Sequence, residues 1–315
     1  MNTDNNKEVD THVSVCANCG KEDNDVNNIC NKCKQVKYCN ATCKKKHRKK
    51  HKKDCEEYQR LAAEHAAELH DKELFKQPPP EHGDCPICFE RMPYLNTGWR
   101  YQACCGKVIC SGCVYAPRYD NQGNKVDNQK CAFCRTPHPN SEDEAVERLK
   151  KRFEADDPEA IYDIGCYYRD GTNGYPQDYT KALEYWHLAA ELGYAAAYRS
   201  IGVVYDRDVD IDKKKAMHYY ELAAMKGDVC ARYNLGIREE LDNCNFDRAL
   251  KHYLIAVKGG NAGSLDIIQN MYSNGLITKE DYTKALRSYQ TYLGEVKSVQ
   301  RDKAAAANEE YRYYR

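Results

Sequence analysis

Two dense sets of metal-type ligands dominate the first half of this chain. The first is Cys16, Cys19, Cys30, Cys33, Cys39, Cys43, His51 and Cys55, written C-x2-C-x10-C-x2-C-x5-C-x3-C-x7-H-x3-C. The second is Cys85, Cys88, Cys104, Cys105, Cys110, Cys113, Cys131 and Cys134. Zinc takes four thiolate or imidazole ligands in a tetrahedron, and a C-x2-C pair supplies two of them from one turn. Sixteen such residues imply four structural zinc ions, two per cluster. They point to a chain that docks other proteins rather than one that turns over small molecules.

The elements that must position these ligands follow from composition. The chain has 315 residues, enough for two or three domains, and 18 cysteines. Lys+Arg and Asp+Glu both number 48, so no global attraction to nucleic acid or membrane is implied. The polar N-terminus has no apolar core of a secretory signal, and no apolar run reaches bilayer length. An intracellular setting, cytoplasm or nucleus, is expected. There reduced cysteines serve metals in preference to disulfides.

The pattern divides the chain into a disordered tail (1–13), a first finger (14–56), a helical linker (57–82), a second finger (83–139), helical repeats (141–294) and a C-terminal helix and tail that frays (295–315). The linker is rich in Ala, Glu and Lys, which favour helix. Pro78, Pro79 and Pro80 stop it. Beyond Ser141 a period of 33 to 37 residues emerges, with glycines at 165, 202 and 236, alanines at 182, 216, 249 and 285, and closing glycines at 193, 227 and 260. This is the period of paired-helix solenoids. Units such as Ala160–Asp170 with Tyr179–Leu192 cannot bury their apolar faces alone and must stack. Gln269 replaces the helix-one glycine in the fourth copy, as suits a terminal cap. The fold class is thus two small zinc-stapled fingers followed by an all-α helical-repeat solenoid.

Three resemblances add to this reading. The register Ala160…Gly165…Tyr168…Gly171, with the turn Gly174-Tyr-Pro-Gln-Asp178, resembles the Sel-one-like repeat, a relative of the tetratricopeptide repeat. That resemblance implies a concave surface for partner proteins. The first cluster resembles the MYND zinc finger along its whole length, including Tyr38-Cys39. By that family's interleaving, one zinc takes Cys16, Cys19, Cys39 and Cys43, and the other Cys30, Cys33, His51 and Cys55. The family's proline-peptide groove is altered here, with Lys44 where glutamine is common and Arg48 where tryptophan is common. His47 is read as solvated. The run Lys44–Lys53 reads as a solvated helix face, a contact for phosphates or an acidic partner, or a nuclear import signal. It lacks interleaved aromatics, so nucleic-acid binding is not favoured.

The second cluster resembles the all-cysteine variant of the RING finger over 83–137. Its cross-brace implies one zinc on Cys85, Cys88, Cys110 and Cys113, and another on Cys104, Cys105, Cys131 and Cys134. Cys104 and Cys105 share one zinc only through a sharp turn, which Gly106 would ease; otherwise one is a free thiol. The resemblance implies recruitment of a ubiquitin-conjugating enzyme charged with ubiquitin, through an aliphatic contact at Ile87 and a bridging cation at Arg135. Catalysis there is positional, so no catalytic nucleophile is expected. Ala132 and Phe133 replace the usual proline between the last two ligands. A RING-type ubiquitin ligase is the leading expectation. The alternative is a non-catalytic interaction scaffold whose fingers are structural. A MYND-containing methyltransferase does not fit, because helical repeat fills the chain after residue 140.

Overall fold

The computed structural model describes residues 14–23, 26–80, 82–119, 124–126, 130–208 and 211–314. The expected disordered tail, 1–13, lies outside them. The chain forms two compact units, residues 1–73 and 74–315.

In the first unit, short antiparallel pairs join β1 (Ser14–Val15) to β2 (Glu22–Asp23) and β3 (Asn28–Ile29) to β4 (Lys37–Tyr38). Helix α1 (Ala41–His47) follows, and Asn40 caps it by accepting from the Cys43 amide. Among the described residues the buried apolar cluster here is only Cys16, Val26 and Tyr38. So small a core cannot hold a fold by hydrophobic burial. Helix α2 (Lys52–Leu74) begins within the cluster, and its residues 56–70 are exposed.

The second unit opens where α2 ends. The helix stops at Leu74, three residues earlier than the sequence suggests, because Leu74 is claimed by tertiary packing. It is fully buried among Ala216, Tyr220, Ala223, Ala231 and Leu235. Next come the hairpin β5 (Trp99–Gln102) and β6 (Lys107–Cys110), with Trp99 opposite Cys110 and Gln102 opposite Lys107, and helix α3 (Ser111–Tyr115). Part of the loop between residues 114 and 130 lies outside the described residues. Helix α4 (Glu142–Phe153) is capped by Ser141.

The repeats follow as helix pairs α5 (Pro158–Asp170) with α6 (Tyr179–Glu191), α7 (Ala195–Val203) with α8 (Lys213–Met225), α9 (Val229–Leu241) with α10 (Phe246–Lys258), and α11 (Ala262–Ser273) with α12 (Lys279–Val296). Their starts are written in the sequence. Asp157, Asp178, Asp212, Asp228, Asn245, Asn261 and Thr278 each accept from an amide in the first turn. Such caps are each worth about 1 kcal/mol.

Within each of the first three pairs a glycine receives an aromatic ring. A Cβ on Gly165 would lie 2.6 Å from Trp186, one on Gly202 2.7 Å from Tyr220, and one on Gly236 2.4 Å from Tyr253. The alanines one turn before those rings, at 182, 216 and 249, are fully buried, as is Ala285. The closing glycines 193, 227 and 260 have φ of 95°, 101° and 102°, a region that side chains with a Cβ rarely adopt.

The C-terminal segment departs from the fraying expected of it. Helix α13 (Val299–Ala307) packs on α3, and Arg301, Ala304 and Tyr313 are fully buried. Tyr313 donates to Asp302 at 2.6 Å. The tail reads as polar and Tyr-rich in sequence, yet its rings find a partner surface on the second finger.

The glycine–ring fit gives a direct test. Gly236→Ala should lower unfolding free energy by about 1–3 kcal/mol in urea denaturation, since the Tyr253 ring must move. An unchanged midpoint would mean that the close approach does not hold the pair together.

Candidate metal centres

The sixteen ligand residues converge into four groups. These are Cys16/Cys19/Cys39/Cys43, Cys30/Cys33/His51/Cys55, Cys85/Cys88/Cys110/Cys113 and Cys104/Cys105/Cys131/Cys134, and in each the donor atoms all lie within 4.8 Å of one another. All 18 cysteines are free thiols. A tetrahedron with metal–sulfur bonds of about 2.3 Å has edges of about 3.8 Å. The observed separations sit near that edge: 3.7 Å for Cys19–Cys39, 3.7 Å for Cys30–Cys55 and 3.8 Å for Cys88–Cys110. Cys33 Sγ lies 3.3 Å from His51 Nε2. These donor sets fit zinc. Cys104 and Cys105 both join one group, with Gly106 at φ 65° turning the chain directly after them.

Backbone geometry explains why the pairs are placed so well. After each C-x2-C pair at 16/19, 30/33, 85/88 and 131/134, the next residue is left-handed: Gly20, Lys34, Phe89 and Arg135 have φ of 72°, 58°, 57° and 62°. Each donates its amide to the carbonyl of the first cysteine, at 2.8–3.1 Å. The first cysteine's own amide then closes the loop onto Lys21, Val36, Glu90 or Thr136. Only one of the four turn positions is glycine. The other three carry the strain of a positive φ, typically about 1 kcal/mol or more each.

Crowded sulfurs oppose one another's ionisation. Cys39 is pushed up to about 12 by its contact with the Cys43 thiol and then by burial. Burial and then the Cys30 contact push Cys55 up to about 11, and burial and then the Cys131 charge push Cys105 up to about 11. A divalent cation amid the four sulfurs reverses this and holds them as thiolates.

Several supporting residues were not evident in the sequence. His47 is not simply solvated: the Tyr38 hydroxyl lies 3.2 Å from its Nδ1, and its ring stacks on His51 at 5.7 Å. Lys44 is drawn out of the basic run and donates to the Ile29 carbonyl and to Asn31, both at 2.7 Å. Arg301 is the least expected. Its buried guanidinium donates to the carbonyls of Arg91 (2.8 Å), Val296 (2.7 Å) and Glu90 (3.4 Å), and lies 3.9 Å from Cys88 Sγ. Gly112 makes room for it, since a Cβ there would sit 3.0 Å from the Arg301 Cγ. The signal in sequence is faint, a lone arginine opening an alanine-rich helix.

The second finger is also bound to the repeats. The Tyr94 amide donates to the Tyr292 hydroxyl at 2.9 Å, Asn261 donates to Tyr94 Oη at 2.9 Å, and Cys230 Sγ lies 3.1 Å from that oxygen. Tyr101 donates to Asp157 at 2.8 Å. Trp99 packs against the second finger's cysteine cluster. Ile87 and Arg135 are both exposed.

Comparison with known proteins agrees with two of the three modules. The MYND finger family model matches residues 16–55, and the Sel1 repeat model matches 158–194, 195–228, 231–261 and 270–289. The second cysteine cluster lies outside both matches. No curated protein matches. Among solved structures, the chain is similar to a Sel1 repeat protein from Oxalobacter formigenes, with 30% identity over 53% of this chain and 65% of that one and a TM-score of 0.42. It is also similar to a protective antigen of uropathogenic Escherichia coli displaying an SLR fold, with 22% identity over 55% and 43% of the two chains and a TM-score of 0.43. The chain therefore spans less than two thirds of either.

Two predictions follow from these centres. Chelation of zinc should abolish amide protection across 14–55 while leaving the helical circular dichroism of the repeats, because the first finger has almost no other core; protection that survives verified metal loss would contradict this. Arg301→Ala should destabilise the second unit by about 3 kcal/mol and raise hydrogen exchange over 299–314, because three carbonyls lose a buried donor. Equal exchange in the variant would show that the guanidinium is dispensable. The chain carries a MYND finger followed by Sel1 repeats, an assembly of protein-interaction modules.

Proposed function

We propose that all sixteen ligands hold four zinc ions and that the second finger is a RING-type cross-brace. In this reading it recruits a ubiquitin-conjugating enzyme charged with ubiquitin, while the repeats and the MYND finger hold the protein to be modified. The observation that carries it is the interleaving of the second cluster: the first and third ligand pairs share one centre, and the second and fourth share the other. Ile87, between the first two cysteines, keeps an exposed aliphatic surface. Arg135 is held by its left-handed backbone just beyond the last cysteine, with its side chain in solvent. A guanidinium so placed offers several fixed donors to two proteins at once. Nothing covalent need form on the finger, because restraint of the charged complex near its attack geometry is sufficient. Reduced cysteines suit an intracellular compartment, cytoplasm or nucleus.

A scaffold reading has its own supporting observation. Helix α3 of the finger is covered by α13, and Phe133 stands where a proline is usual. A finger built to dock onto its own repeats serves as a structural element without any conjugating enzyme.

Elemental analysis should find four zinc ions per chain, and three in each of Cys39→Ser and Cys131→Ser. Zinc-loaded protein should accelerate ubiquitin discharge from a panel of charged conjugating enzymes, with Arg135→Ala and Ile87→Ala each slowing it about tenfold or more. Four bound ions with no discharge across the panel would leave the scaffold reading in its place.

A further inference from the structure

A cavity of about 550 Å³ lies between the hairpin of the second finger and the first helices of the repeats. Its size is that of a ligand pocket. Its walls are aromatic, with Tyr94, Trp99 and Tyr101 from the finger side and Tyr162 and Tyr194 from the repeat side. Two arginines also reach it, and both are engaged. Arg199 pairs with Asp228 at 2.8 Å, and Arg100 donates to the carbonyls of Asn96, Thr97, Trp99 and Glu310.

Asp163 is different. It lines the cavity, yet among the described residues no hydrogen bond or ion pair holds its carboxylate. Burial, and then the charge of Asp157, push its pKa up to about 7. Glu159, buried one turn earlier, also lines this wall. A carboxylate without a paired cation, in a cavity lined by aromatic rings, is an environment that can attract an organic cation.

We propose that this cavity is a binding site for a cationic side chain, arginine or lysine, presented by a partner protein, with Asp163 as its counter-ion and the tyrosine and Trp99 rings as its walls. The guanidinium or ammonium would supply what Asp163 lacks, and its aliphatic stem would lie along the rings. The site is independent of the ubiquitin reading, since it needs only the finger seated on the repeats.

The chain has two tryptophans, so the Trp99 indole resonance in a 15N spectrum is a local probe. Titration of the zinc-loaded full chain with N-acetyl-arginine methylamide should shift that resonance saturably. The citrulline analogue, equal in shape and uncharged, should leave it in place. Asp163→Asn, nearly isosteric and checked by circular dichroism, should weaken the arginine response about tenfold or more. No saturable shift in the wild-type protein, an equal shift with citrulline, or an undiminished response in the folded Asp163→Asn chain would each overturn the proposal.

Discussion

Four sulfurs within 4.8 Å cannot all ionise in a protein interior without a cation among them. That constraint governs the chain before residue 140. In the first finger it replaces a core, since Cys16, Val26 and Tyr38 are nearly all the apolar burial available there. Metal binding and folding are then one event, and the left-handed Lys34 after the Cys30/Cys33 pair is a strain that this event must offset. Beyond residue 141 the physics changes. Buried alanines, ring-filled glycine notches and capped helix starts hold the repeats, none of which needs a metal.

The two regimes meet in the second unit. Arg301 there links carbonyls of the first knuckle of the second finger to the end of α12. A fully desolvated guanidinium is costly to bury, and it persists because acceptors from two elements converge on it. Removing either element would leave a buried cation half satisfied. Finger, last repeat and C-terminal helix share one compact unit, tied also by Tyr94 on Tyr292, while Tyr101 on Asp157 ties the finger to the first repeat.

Much of this was legible in the sequence, because the relevant interactions are local. Cap residues act within one turn, and ligand spacing and the glycine–alanine register within some thirty to forty residues. Most of the features that were not legible are long-range. Leu74 leaves α2 early for a pocket more than 140 residues away in sequence, formed by Ala216 and Tyr220. The tail around Tyr311 and Tyr313 orders against a finger whose surface its own sequence does not announce. Lys44 and His47 look like members of a charge run, and only the fold turns one toward Ile29 and the other toward Tyr38. In the same way nothing in the sequence near Asp163 shows that it shares a cavity with the hairpin of the finger.

A finger fixed to a solenoid differs mechanically from one on a flexible tether. A tether lets the two modules sample many separations, and its effective concentration falls as the linker lengthens. Here Tyr94, Arg100 and Tyr101 of the finger reach the repeats and tail directly. An occupant of the aromatic cavity would therefore sit in the same compact unit as Ile87 and Arg135. For positional catalysis that arrangement selects which part of a bound protein can approach a partner on the finger. For a scaffold it fixes the relative orientation of two ligands. In either case the proposed cation site belongs to the seam between finger and repeats, where residues of both modules line one pocket.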